Sequence, residues 1–172
     1  DGSVCANENE DKEEVQNFYT NLYSTQGFAD AGELLAHVHV KVSNAMNVEL
    51  TKPYMAEEVK HALFQMARSK APGMDGYTAG FYQRHWGLLG GDVTSAVLEF
   101  LNGGELSSGL NDTSITRIPK VKHPQSISQY RPIALCPVLY KIASKAITNR
   151  LRGIMDEIIS EEQSAFVPSR LI

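Results

Sequence analysis

Apolar residues return at helical spacing over about Glu10 to Tyr23, where Val15, Phe18, Tyr19, Leu22 and Tyr23 share one face and Gly27 follows as a stop. This pattern predicts a first helix. Residues 28–54 are weakly patterned. A short helix is expected over Glu33 to Val38, and the rest reads as loop ending at Pro53. A second clear helix is predicted from about Glu57 to Arg68, with Val59, Ala62, Leu63, Met66 and Ala67 on its buried face. Met55 stands where a Ser or Thr would complete a capping box with Glu58.

The octet Ser69-Lys70-Ala71-Pro72-Gly73-Met74-Asp75-Gly76 carries Pro-Gly and Asp-Gly, which is turn chemistry. A helix from about Ala79 to Trp86 follows. Another is expected from Asp92 as N-cap to Asn102, stopped by Gly103, with Val93, Ala96, Val97, Phe100 and Leu101 inward. The period then changes. Ser114–Pro119 is rich in β-branched residues and Arg131–Leu135 reads as a second strand. The polar, basic connection Lys120 to Tyr130 is longer than a tight hairpin needs and is expected to be mobile. Pro137 opens a last helix expected to reach Ile159. Its apolar stripe is Ile142, Ala146, Ile147, Leu151, Ile154, Met155, Ile158 and Ile159, with Gly153 weakening the middle. Lys141, Lys145 and Arg152 fall near one another elsewhere on its surface. The segment Ala165 to Arg170 is extended or turning. The pattern is that of a mostly helical α+β chain.

The 172 residues amount to one domain, or one part of something larger. The start at Asp1 and the end at Leu171-Ile172 read as cut ends. No stretch approaches the ~18 consecutive apolar residues of a spanning helix, which excludes a membrane partner of that kind. Two cysteines, Cys5 and Cys136, make neither a disulfide framework nor a zinc spacing.

Charge changes the picture more. Residues 1–60 carry 4 basic and 11 acidic side chains, whereas Arg117 to Arg152 carries eight basic residues and no acidic one. That run would attract polyanions although the chain is net −4. Lys120 ends one strand and Arg131 begins the other. If the strands pair antiparallel, a point charge and a guanidinium fork meet at one end, a combination suited to a triphosphate. Two solvated surface cations are the plainer account of the same spacing. The octet with Lys70 and Asp75 is no Walker A sequence. Read alone, it is an ordinary connection between helices. His37 and His39 lack a third ligand, and His61, His85 and His123 read as surface or capping residues. Trp86 and the tyrosines read as core or interface. Tyr130, beside Arg131, is the exception, since an aromatic next to a cation stacks on bases.

Taken together the segments are more specific. Ser69 to Gly76, Ile115-Thr-Arg-Ile-Pro-Lys120, Tyr130-Arg-Pro-Ile-Ala-Leu135, Tyr140-Lys-Ile-Ala-Ser-Lys145, Asn149-Arg-Leu151 and Gln163-Ser-Ala-Phe-Val-Pro168 occur in this order. The series closely resembles the reverse transcriptase of plant non-LTR retrotransposons of the LINE type. By that resemblance, residues 1–55 are the segment preceding the polymerase. Residues 56–172 are its N-terminal, fingers region, part of a right-hand polymerase without the catalytic palm.

The resemblance implies an RNA-directed DNA polymerase that uses two Mg2+ ions, an RNA template, a DNA primer and deoxynucleotide triphosphates. Lys120 and Arg131 match positions that hold the incoming nucleotide. Lys70, Asp75, Tyr130, Lys141 and Lys145 match the border of template and nucleotide. No residue here matches the family's metal-binding aspartates, so no catalytic or metal residue is expected, and the chain alone is expected to be inactive. The family acts at chromosomal DNA, which leaves the location open between nucleus and cytoplasm, without secretion. Three residues depart from the family pattern: Ser169 for Gly, Met55 for Thr and Arg117 for an apolar residue. Strain is expected at Ser169 if its φ is positive, and a costly burial at Arg117 if it faces inward. A non-catalytic nucleic-acid-binding remnant and an unselected fragment without a stable fold are the alternatives.

Overall fold

The computed structural model describes residues 8–25, 27, 31–37, 39–160 and 163. The expected turn over Ala165 to Arg170, Ser169 and Cys5 lie outside them. The chain is a mostly helical α+β structure with one two-stranded antiparallel hairpin. It divides into two compact units, residues 1–39 with 117–132, and residues 40–116 with 133–172.

In the first unit, α1 (Glu8–Tyr23) and α2 (Gly32–Ala36) follow the expected positions. Tyr19 is buried, edge-on to Phe18 and stacked near Tyr23, whereas Leu22 and Tyr23 of the same stripe are exposed.

The second unit holds the core. Helix α3 (Asn44–Thr51) occupies a stretch expected to be loop. Ser43 caps it, its hydroxyl accepting the Met46 N–H at 3.2 Å. The helix buries no residue of its own, which is why periodicity does not reveal it. Helix α4 (Ala56–Phe64) ends four residues before the expected Arg68. At its start the Glu58 carboxylate accepts the Met55 N–H at 2.9 Å, while Met55 contributes no side-chain cap. That is the half of a capping box that needs no hydroxyl. At its end the amide of the buried Gln83 donates to Leu63 O at 2.8 Å and Met66 O at 2.9 Å. A side chain thus satisfies carbonyls that a longer helix would have paired.

Helix α5 (Ala79–Arg84) is capped by Thr78, and α6 (Trp86–Leu101) follows almost at once. Asp92 is therefore interior to α6, not its N-cap. Gly87, Gly90 and Gly91 conceal this helix in the sequence, because glycine is a poor helix former. At Gly90 the reason is steric and lies within the helix, since a Cβ there would lie 2.8 Å from the ring of Trp86, one turn earlier. Gly103, at φ +102°, stops the helix as expected, and Gly104 N–H returns to Glu99 O.

Helix α7 (Val138–Arg152) begins after Pro137, which sits at the cap position, and ends at Gly153. The expected continuation to Ile159 is instead a separate turn of helix, α8 (Met155–Ile158). The buried face of α7 is Val138, Ile142, Ala143 and Ala146, while Ile147 and Leu151 of the predicted stripe are exposed. Helices α4, α6 and α7 pack on one another, with Val59, Ala62, Leu63, Val93 and Val97 completing the core. Burying such side chains is worth about 1.5–3 kcal/mol for each of the larger ones.

Candidate nucleotide and nucleic-acid interface

The hairpin consists of β1 (Ser114–Pro119) and β2 (Tyr130–Leu135). The Lys120 N–H donates to Gln129 O at 2.8 Å, which sets these two residues opposite each other. In that register Lys120 and Arg131 are diagonal neighbours on one face, a relation that puts Cα atoms about 7–8 Å apart. The Lys120 ammonium donates to Ser128 O at 2.8 Å, using one of its three protons. Arg131 is exposed.

The connection between the strands is built rather than bare. Residues Ile127–Gln129 form a 3-10 turn, Gln125 N–H donates to the Gln129 side-chain oxygen at 2.6 Å, and the Ser126 and Ser128 hydroxyls meet at 2.8 Å.

Tyr130 follows strand alternation onto the face opposite Arg131. There the Arg117 guanidinium lies 5.6 Å from its ring centroid. Arg117 is exposed, so the costly burial considered for it does not arise.

The octet lies in the other unit. Gly76 adopts φ +74°, and its N–H closes a turn on Gly73 O at 3.1 Å. Asp75 accepts the Tyr77 N–H at 3.1 Å, an Asx turn that fixes the exit of the loop. Burial first, and then the Asp75 carboxylate, push the Tyr82 hydroxyl above its ordinary value. The start of α7 presses on Gly73: an added Cβ would lie 2.5 Å from Pro137 N. One turn along, the Lys141 ammonium donates to Ala71 O at 2.9 Å. Lys141 thus holds the octet to α7. Lys145 stands a further turn along and is half-buried, and Lys70 is exposed. The structure therefore brings Lys120 and Arg131 together on the hairpin, and Asp75 and Lys141 together around the octet.

Among the described residues, no three His, Cys, Asp or Glu side chains gather closely enough to hold a metal ion. His37 instead pairs its Nδ1 with Glu33 O at 2.8 Å. No described helix is long and apolar enough to cross a membrane.

The residue that sequence reasoning missed is Arg150. Its Nε and Nη2 meet the two carboxylate oxygens of Glu58 at 2.7 and 2.9 Å. The same guanidinium donates to Leu50 O, Lys52 O and Pro53 O, and it lies 3.5 Å from the Tyr54 ring centroid. The pairing draws Glu58 below the usual glutamate range. Within the basic run Arg150 looks like one more surface cation, and its place in Asn149-Arg-Leu151 is the available signal.

No protein-family model matches the chain. Over its full length it is 33% identical to the uncharacterized 149 kDa protein of transposon TX1 from Xenopus laevis. The chain spans 13% of the length of that relative. It is therefore homologous to part of a transposon protein.

Proposed function

We propose that the chain is the N-terminal, fingers part of the RNA-directed DNA polymerase of a LINE-type retrotransposon, where it contacts the incoming nucleotide and the template. The observation that carries this reading is the diagonal pairing of Lys120 with Arg131 beside a basic loop. An ammonium and a guanidinium on one face supply the several donors a triphosphate needs. Homology to a transposon protein supports the same reading, as does the ordered series of motifs from Ser69 to Pro168.

The polymerase's two Mg2+ ions require a set of carboxylates, and the described residues do not assemble one. The described residues do not fit the metal pair. The role proposed for this chain is accordingly to bind and orient.

Titration with a fluorescent deoxynucleotide triphosphate tests the reading. Lys120→Ala and Arg131→Ala should each weaken binding about tenfold, the worth of one charge-assisted hydrogen bond. Unchanged affinity in both variants would remove them from the site. The absence of acidic residues from Arg117 to Arg152 favours a second reading, a nucleic-acid-binding remnant that uses charge alone. In that case, nucleic-acid affinity persists while triphosphate affinity ignores both substitutions.

A further inference from the structure

A further cationic surface lies within the second unit. An open cleft of about 510 Å3 is lined by Arg68, Arg84 and His85, with the hydroxyls of Ser69 and Thr78 among them. Among the described residues no carboxylate lines it. Arg68 is positioned by its Nε, which donates to the Gln83 side-chain oxygen at 3.2 Å. The Nη groups of Arg68 remain as the donors suited to a ligand. Gly80 lets the backbone close up beside it: its N–H bonds Arg68 O at 3.2 Å, and a Cβ there would lie 3.0 Å from that oxygen.

A row of rings runs from just before α5 to its C-terminal end. Tyr77, Phe81 and His85 recur every four residues, with centroids 4.6 Å and then 4.9 Å apart. Phe81 and His85 line the cleft, and Tyr77 is 48% exposed. Of the two roles expected of the tyrosines, core or interface, the exposure of Tyr77 leaves the interface. Guanidinium groups beside a run of accessible rings are the arrangement that binds single strands, with phosphates on the charges and bases on the ring faces. A double helix keeps its bases stacked inside and would leave these rings unused.

We propose that this cleft is a docking groove for single-stranded nucleic acid, its phosphates held by Arg68 and Arg84 and its bases stacked along His85, Phe81 and Tyr77. The proposal deepens the polymerase reading and rests on it for the choice of polyanion. It adds Arg68, Arg84 and the row of rings to the residues proposed above, with Ser69 of the octet on the cleft wall.

The test is fluorescence anisotropy of the 172-residue chain with a short labelled oligouridylate across a salt series. Arg84→Glu should weaken binding roughly tenfold or more at low salt. It should also reduce the slope of log affinity against log salt by about 0.7 for each phosphate that is no longer neutralised. His85→Ala should weaken binding about 5- to 100-fold by removing a stacking surface. Thermal melts establish that each variant folds, and Arg84→Gln replaces Arg84→Glu if the reversed charge does not. Oligouridylate affinity unchanged by either the Arg84 or the His85 substitution overturns the groove. Triphosphate titration of Lys120→Ala and Arg131→Ala separates the two claims. Oligouridylate binding that depends on Arg84 and His85 supports the groove even if the triphosphate titration is indifferent to Lys120 and Arg131, a result that would remove the proposed nucleotide site.

Discussion

Arg150 and Glu58 meet in a two-pronged ion pair, Nε to Oε1 at 2.7 Å and Nη2 to Oε2 at 2.9 Å. Glu58 belongs to the first turn of α4 and Arg150 to the last turn of α7. The pair therefore locks two core helices together at one end. Through its other donors Arg150 also holds the carbonyls that close α3, so one side chain organises three helices.

Arg150→Ala should be among the most destabilising single changes in the chain. The Arg150 side chain is only 13% accessible, and its removal would leave the carbonyls of Leu50, Lys52 and Pro53 without their donor. A loss of about 2–4 kcal/mol is expected, read as a lower midpoint in chemical denaturation. Arg150→Lys should recover little of it, because an ammonium cannot reproduce the fork or lie flat on Tyr54. A midpoint unchanged in Arg150→Ala would show that the pair contributes nothing net.

The same pair sets a pH dependence. Hydrogen bonding from Arg150 holds Glu58 below its unfolded value, so the folded state binds this proton less tightly than the unfolded chain does. The stabilisation is complete above the ordinary glutamate value of about 4.3 and disappears as pH falls through the lower folded value. Glu58→Gln should remove that component. Its thermal midpoint should sit below wild type near neutrality and converge on it as pH falls through the lowered folded value of Glu58. Parallel curves for the two proteins would exclude Glu58 as the titrating group.

Two glycines should respond in opposite directions to alanine. At Gly73 the new Cβ would meet backbone atoms of Cys136 and Pro137 at 2.5–2.7 Å, and backbone cannot swing aside. Gly73→Ala should cost about 1–3 kcal/mol and part the octet from α7. At Gly91, within α6, nothing lies within 4 Å of the added carbon. Gly91→Ala should stabilise by about 0.4–1 kcal/mol, since alanine is the better helix former and has less freedom to lose. Thermal melts of the two variants decide both.

What could be read from the residues was local. The β-branched run from Ser114 to Pro119 announces a strand at its observed bounds, and Gly103 stops α6 where its positive φ is needed. What could not be read depends on distant partners. Helix α3 has no buried face of its own, and Arg150, reaching from 100 residues away in sequence, supplies the hydrogen bond at Leu50. Helix α4 stops short of Arg68, and the distant Gln83 donates to Leu63 O in its last turn and to Met66 O just beyond it. The eight cations between Arg117 and Arg152 look alike in the sequence. Folding turns Arg150 into a structural clamp and Lys141 into a tether, while Arg131 stays exposed. The proposed nucleotide pair is legible because one antiparallel register relates Lys120 to Arg131. The groove at Arg68 and Arg84 is not, because it needs α5 folded back on the end of α4.

The last prediction concerns catalysis by the chain alone. Phosphoryl transfer depends on positioning and on neutralising the charge that develops on the phosphate. Lys120 and Arg131 supply positive charge on the hairpin face, but the described residues gather no carboxylates to hold metal ions that would activate a 3′-hydroxyl. Purified chain given a primed RNA template, all four deoxynucleotide triphosphates and Mg2+ should therefore bind nucleotide without lengthening the primer. Lys120→Ala and Arg131→Ala should lower nucleotide occupancy and leave the absence of extension unchanged. Extension that requires metal and is abolished by Lys120→Ala would show that the chain assembles a complete active site, and the binding-only role would have to be given up.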